Sequence, residues 1–170
     1  MVWRDIKKKR KITKSMNTYK LRPVTNVDLD FIYKVMETCF SKYVTEMFGA
    51  WDPLVQREII KTKFLDANSK IIQKNNIDIG LLIVSCSEHE IEINQFAILP
   101  QYRYIGLSAR IVEDIKEEAV KKGIPISLRV LALNINAIKF WQAAGFKKIN
   151  ETDTHIYMKW QSEDKIIRLD

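Results

Sequence analysis

Apolar positions along this chain recur with two different spacings, and the switches between them mark out a regular series of elements. Tyr19 to Pro23 reads as a short strand. Thr25-x-x-Asp28 then resembles a capping box, with Asp in place of the usual Glu, and opens a helix through about Cys39. Leu29, Ile32, Tyr33, Met36 and Phe40 fall three or four residues apart and form its apolar stripe. Asp52-Pro53 starts a second helix running to about Leu65, because Asp is a strong N-cap and Pro is tolerated where no N–H bond is needed. Three strand patterns follow at residues 70–74, 79–86 and 90–99, joined by an Asn75-Asn76 turn and a second polar turn, and they predict an antiparallel meander.

A helix carrying Leu107, Ile111, Ile115 and Ala119 on one line comes next, with Lys121 and Lys122 in its last turn and Gly123 as its C-cap. Pro125 forbids continuation. Residues 126–133 read as a buried strand, Ala137, Phe140, Trp141 and Ala144 mark a short helix ended by Gly145, and residues 146–151 and 155–160 close the series as two strands. The order β-α-α-β-β-β-α-β-α-β-β predicts a mixed sheet with helices on both faces.

Composition bounds this picture without changing it. The 170 residues, 46% hydrophobic and 29% charged, suit one globular domain, and no apolar run approaches the roughly 18 residues that span a bilayer. Nor is there a secretory leader, so a cytoplasmic chain is expected. Cys39 and Cys86 fall in a helix and a strand, away from any CxxC or His at metal spacing, and read as two buried free thiols with no metal site. The net charge of +7 is concentrated at one end: Arg4, Lys7, Lys8, Lys9, Arg10, Lys11 and Lys14 against Asp5 alone give residues 1–15 a charge of +6. Residues 1–17 are therefore expected to be a flexible basic arm, residues 18–162 the domain and residues 163–170 a tail. Met16 offers an internal start, which would make the arm dispensable. An RNA-binding reading rests on that arm alone, and its only aromatic residue, Trp3, gives no stacking surface, so nucleic acid is not favoured as a partner.

Chemistry concentrates in residues 99–108, Leu-Pro-Gln-Tyr-Arg-Tyr-Ile-Gly-Leu-Ser, which join a strand pattern to a helix pattern. The first N–H groups of a helix lack intrahelical partners and sit at the positive end of its dipole, so such a junction can hold a phosphate. Gly106 allows close backbone approach. Arg103-x-x-Gly106-x-Ser108 resembles the Q/R-x-x-G-x-G/A acyl-CoA loop of the GCN5-related N-acetyltransferases, with Ser at the last small position. Asn134-x-x-Ala137-x-x-x-Trp141-x-x-x-Gly145-Phe146 resembles that superfamily's N-x-x-A-x-x-x-Y-x-x-x-G-F signature. Order, spacing and strand-helix context agree over about residues 18–160.

The resemblance implies an α/β fold: a central, mostly antiparallel sheet of six to seven strands, flanked by about four helices, with strands 4 and 5 splayed apart. It implies acetyl-CoA as co-substrate, with Phe96, Ala97 and Ile98 pairing with its pantetheine arm, the Arg103, Tyr104, Ile105, Gly106, Leu107 and Ser108 segment holding its pyrophosphate, and Asn134 as a further contact. Acetyl transfer to an amine needs a base, and Glu92 resembles a strand-four glutamate of histone-acetylating members. His155 is the second candidate, since imidazole titrates near neutrality. The usual acid, a tyrosine, is replaced by Trp141, whose indole cannot deliver a proton. Trp51-Asp52-x-x-x-Gln56 and Thr154-His155-x-x-Met158 resemble segments of small acetyltransferases in which the first helices wall the acceptor pocket, making Trp51, Asp52 and Gln56 acceptor-binding candidates. For Asp52 the competing role is helix capping.

These features predict an N-acetyltransferase that moves an acetyl group from acetyl-CoA to the primary amine of a small molecule by direct attack. The alternatives are a peptide or protein acceptor, and a non-catalytic acyl-CoA sensor, which Trp141 favours. The expected partner is a small-molecule amine; the chain is not expected to enter a membrane and would act as a monomer or homodimer.

Overall fold

Continuous apolar runs at Ile71-Ile72 and Leu81-Leu82 require strands covered on both faces, because successive side chains point to opposite sides. A computed structural model describes residues 18–66 and 68–162 and shows that arrangement. The elements are β1 (Lys20–Pro23), a 3-10 turn (Asn26–Asp28), α1 (Leu29–Phe48), α2 (Pro53–Lys63), β2 (Ser69–Lys74), β3 (Ile77–Cys86), β4 (Ile91–Ile98), a second 3-10 turn (Pro100–Ile105), α3 (Leu107–Lys122), β5 (Ile126–Leu131), α4 (Ile135–Ala143), β6 (Lys147–Glu151) and β7 (His155–Trp160). The seven strands form one sheet in the order β1-β2-β3-β4-β5-β7-β6. Among the described residues only β4 and β5 run parallel. The proposed basic arm and C-terminal tail lie outside the described residues.

Two apolar layers sandwich the sheet. On one face Ile32, Val35 and Cys39 of α1 and Ile60 of α2 pack on Ile71, Leu81 and Ala97. On the other, Leu107, Ile111 and Val112 of α3 and Trp141 of α4 pack on Ile72, Leu82, Ile98, Leu128 and Met158.

Local chemistry sets the boundaries. Asp52 accepts from the N–H groups of Leu54 and Val55 at 2.9 and 3.2 Å, so it caps α2 as its position before Pro53 predicts. Asn75 and Asn76 both have positive φ, 51° and 62°, as a tight two-residue hairpin turn demands. The capping box at Thr25 forms, and Asp28 also takes two hydrogen bonds from Arg22, which reaches Asp78 of β3 as well. This half-buried cluster ties the first strand to the start of α1. Two expectations change. Helix α1 continues past Cys39 to Phe48 and stops only at Gly49, whose φ is 89°. Cys86, expected inside, is exposed at the end of β3, while Cys39 is buried.

Candidate active site

Strand β4 contains one residue too many, and the site follows from it. On β3, Ile83 pairs with Gln95 but Val84 pairs with Ile93, so Asn94 bulges out of register. Leu99 N–H donates to Ile79 O at 2.9 Å. Antiparallel alternation then directs the backbone groups of Ala97 and Gln95 to β3 and those of Phe96 and Ile98 to the β5 side. Yet β5 is no longer there to receive them, since its pairing with β4 covers only Ile91–Ile93 against Ile126–Leu128. Beyond this point the strands diverge, leaving a wedge whose β4 wall carries hydrogen-bonding groups without a strand partner.

A cavity of about 540 Å³ fills this wedge. Phe96, Ala97 and Ile98 line one side, Leu128 to Leu131 the other, and α1, with Met36, Cys39, Phe40 and Tyr43, forms an apolar wall. Gly106 and Ser108 lie along the cavity at the start of α3. Gly106 sits in the left-handed region (φ 67°) and bridges the 3-10 turn containing Tyr104 and Ile105 to α3, whose first amides are thereby brought to the cavity. Leu107 turns its side chain into the core, fully buried, so only its backbone is available to a ligand. Asn134 lines the cavity and caps α4, its Oδ1 accepting from Ala137 N–H at 3.1 Å.

Arg103 takes a different position from the one its motif implies. Its guanidinium turns inward: Nε donates to Ile98 O at 2.7 Å and Nη2 to Cys39 Sγ at 3.1 Å. The side chain thus pins the loop to the end of β4. Burial pushes the Cys39 thiol up, opposed by this guanidinium. Trp141 is buried in an aromatic cluster with Phe96, Phe140 and Phe146, the last two edge-on at 5.0 Å, and serves as a packing element at the cavity floor.

The remaining candidates divide. His155 lines the cavity, with Nδ1 2.9 Å from Thr154 Oγ1; burial, and secondarily the charge of Arg129, holds its pKa below the usual imidazole value. Trp51 and Gln56 also line the cavity, Trp51 being fixed by donation from Nε1 to Tyr33 Oη at 3.2 Å. Asp52 and Glu92 are not brought to it. Asp52 is committed to its cap, and Glu92 is exposed, pairing in register with Ser85 and Ser127 where the sheet is still closed. Asn94 and Arg129 line the cavity and were not singled out from sequence. Asn94-Gln95 does interrupt the apolar alternation of β4, a local sign of the bulge; Arg129 carries no such sign.

A sheet opened by a bulge in its fourth strand, with a glycine-started helix facing the opening, is the arrangement that the resemblance to the GCN5-related N-acetyltransferases implies. The sequence profile described as the acetyltransferase (GNAT) family matches residues 36–146, well over half of the chain, and the chain belongs to that family of acyltransferase enzymes. Among solved structures it is similar to the PaiA N-acetyltransferase of Thermoplasma acidophilum in complex with coenzyme A (15% identity, TM-score 0.64, covering 85% of this chain and 99% of that one). It is also similar to an acetyltransferase from Thermus thermophilus (17%, TM-score 0.68, 85% and 97%). A third is Arabidopsis thaliana Naa50 in complex with the bisubstrate analogue CoA-Ac-MVNAL (17%, TM-score 0.61, 85% and 99%). At these identities the likeness is one of fold. A search of curated proteins finds no match. Among the described residues no helix is long and apolar enough to cross a membrane.

Proposed function

We propose that this chain is an acetyl-CoA-dependent N-acetyltransferase acting on the primary amine of a small molecule. The wedge between β4 and β5 carries the reading: Phe96 and Ile98 present backbone N–H and C=O groups where a strand would otherwise bind, which suits an extended amide-containing arm. Arg103 engages the carbonyl of Ile98, leaving the N–H of Ile98 and both groups of Phe96 for a ligand. The amides following Gly106 suit a pyrophosphate, and the Asn134 side-chain N–H₂ remains after its oxygen is spent on the cap. When bound, acetyl-CoA supplies an acyl thioester open to direct attack by a neutral amine. The fold neighbours in complex with coenzyme A or a CoA-containing analogue support this choice of ligand.

His155 fits the base role better than Glu92, because it lines the cavity and its lowered pKa keeps it neutral at pH 7. In the tautomer whose Nδ1–H donates to the Thr154 hydroxyl, Nε2 keeps its lone pair for an ammonium proton. The Ile98 N–H is the backbone candidate for stabilising an oxyanion, as it faces the wedge. Trp51 and Gln56, at the α1-α2 end of the cavity, are assigned to the acceptor.

Calorimetry with coenzyme A and thiol release with an amine panel test the reading. Gly106→Glu places a carboxylate and a left-handed strain at the proposed phosphate position and should abolish coenzyme A binding. Unchanged affinity would remove the loop from the site.

A further inference from the structure

The acceptor half of the cavity is cationic, and its charge is unpaired. Leu128 and Val130 are buried towards α3 and α4, so Arg129 between them points to the opposite face, where it is exposed and lines the cavity. Tyr157 is its register partner on β7, and His155 lies two residues further along the same face. Among the described residues Arg129 forms no ion pair and no side-chain hydrogen bond. Among the described residues no Asp or Glu lines the cavity. Asp52 is occupied by its cap, Glu37 by Tyr33, and Glu151 by Lys148. Glu92 shares the face, opposite Ser127, but among the described residues forms no ion pair with Arg129. Lys159, paired with Ser127, adds a second cation on this side.

Such surroundings disfavour a polycationic amine, since like charges in a partly desolvated wedge repel, and they favour the neutral form of the attacking nitrogen. They also leave an unfilled guanidinium fork, whose geometry matches a carboxylate or phosphate. We propose that Arg129 is a specificity-determining residue that selects amines carrying an anionic group close to the reacting nitrogen. This inference rests on the acetyltransfer reading above and narrows its acceptor.

The test compares thiol release from acetyl-CoA for matched pairs: L-leucine against 3-methylbutylamine, phosphoethanolamine against ethanolamine, and a peptide with acidic residues after its amino terminus against its Gln counterpart. The anionic member of at least one pair should have the higher kcat/KM by about 10- to 100-fold, and the pair that shows it identifies amino acid, phosphate or peptide as the source. Arg129→Gln should collapse that ratio towards one, chiefly through KM, Arg129→Lys should recover part of it, and Arg129→Glu should invert it. Circular dichroism melts establish that each variant folds. Equal use of both members of every pair, or a ratio unmoved by Arg129→Gln, overturns the assignment and leaves the acetyltransfer reading standing. Weakened coenzyme A binding in Arg129→Gln, with all amines losing rate alike, assigns the arginine to the co-substrate and overturns it too. No thiol release with any amine overturns both readings.

Discussion

Replacing Gly80 by Ala adds one methyl group and should damage both stability and the site. Gly80 lies in β3 between Ile72 and Ile98, beside a register shift at Ile72/Gln73, and β4 crosses it very closely. A Cβ there would meet Ala97 O at 2.2 Å, Ile98 Cα at 3.1 Å and Ala97 C at 3.2 Å. Ordinary carbon to carbonyl-oxygen contacts are about 3.3–3.6 Å, so the oxygen must retreat by roughly 1 Å. All three atoms are backbone, and Ala97 belongs to the ladder with β3, so no side chain can rotate away. Overpacking of this kind costs about 1–3 kcal/mol and a weakened ladder hydrogen bond about 1 more, for a total of about 3 kcal/mol. At about 2–4 °C per kcal/mol for a chain of this size, Tm should fall by about 6–12 °C. Gly123→Ala is the control: its Cβ meets nothing within 4 Å, leaving only the strain of φ +65°, about 1–2 kcal/mol. Thermal melts followed by circular dichroism measure both, and calorimetry should show weaker coenzyme A binding only in Gly80→Ala, because Phe96–Ile98 move with the strand. If Gly80→Ala melts no lower than Gly123→Ala, the close crossing does not exist as described.

Three further outcomes are expected. Asp28, held down to about pKa 2 chiefly by hydrogen bonds from Arg22, has a folded pKa below its unfolded one; its contribution is therefore complete above about pH 4 and lost as pH falls through 2. Asp28→Asn should remove on the order of 2 kcal/mol in urea unfolding at pH 7 and show a flatter acid limb; an unchanged limb would contradict the pairing. Thiol labelling of the native protein should modify exposed Cys86 first and Cys39 only on unfolding, because burial and a raised pKa both protect it; peptide mapping that finds Cys39 labelled as fast would refute this. If His155 is the base, kcat should rise with pH through an inflection below the ordinary imidazole value of 6.5, since the neutral form exists above a lowered pKa. His155→Gln should then lose that limb and about 10²-fold in rate, whereas a retained limb would transfer the role elsewhere.

Local signals in the sequence carry most of the fold. Asp52-Pro53, Gly123 and Gly145 each act within one turn of their own position, and each does in the structure what its chemistry dictates. The end of α1 is less plain: after Cys39 the chain offers Ser41 and Thr45, poor helix formers, while Phe40, Tyr43 and Val44 continue the helical spacing and line the cavity. Tertiary packing decides that case. Gly106 was legible for the same local reason as the other caps. Arg103 was not, because its inward turn depends on Cys39, 64 residues earlier, and on a carbonyl that only the parting of two strands exposes. Arg129 reads in sequence as one polar position of an alternating strand; its unsatisfied charge follows from what three separate strands place around it.

The surplus residue at Asn94 has a consequence for how such a pocket can originate. Excising that single amino acid would leave every pair with β3 in place, Gln95 still opposite Ile83 and Ala97 still opposite Leu81, and would remove only the local bend of β4 at which β5 parts from it. The loss of one codon, three nucleotides, would thus take the bend out of the wall of the wedge while Phe96 and Ile98 kept their direction, without altering any side chain in the hydrophobic interior.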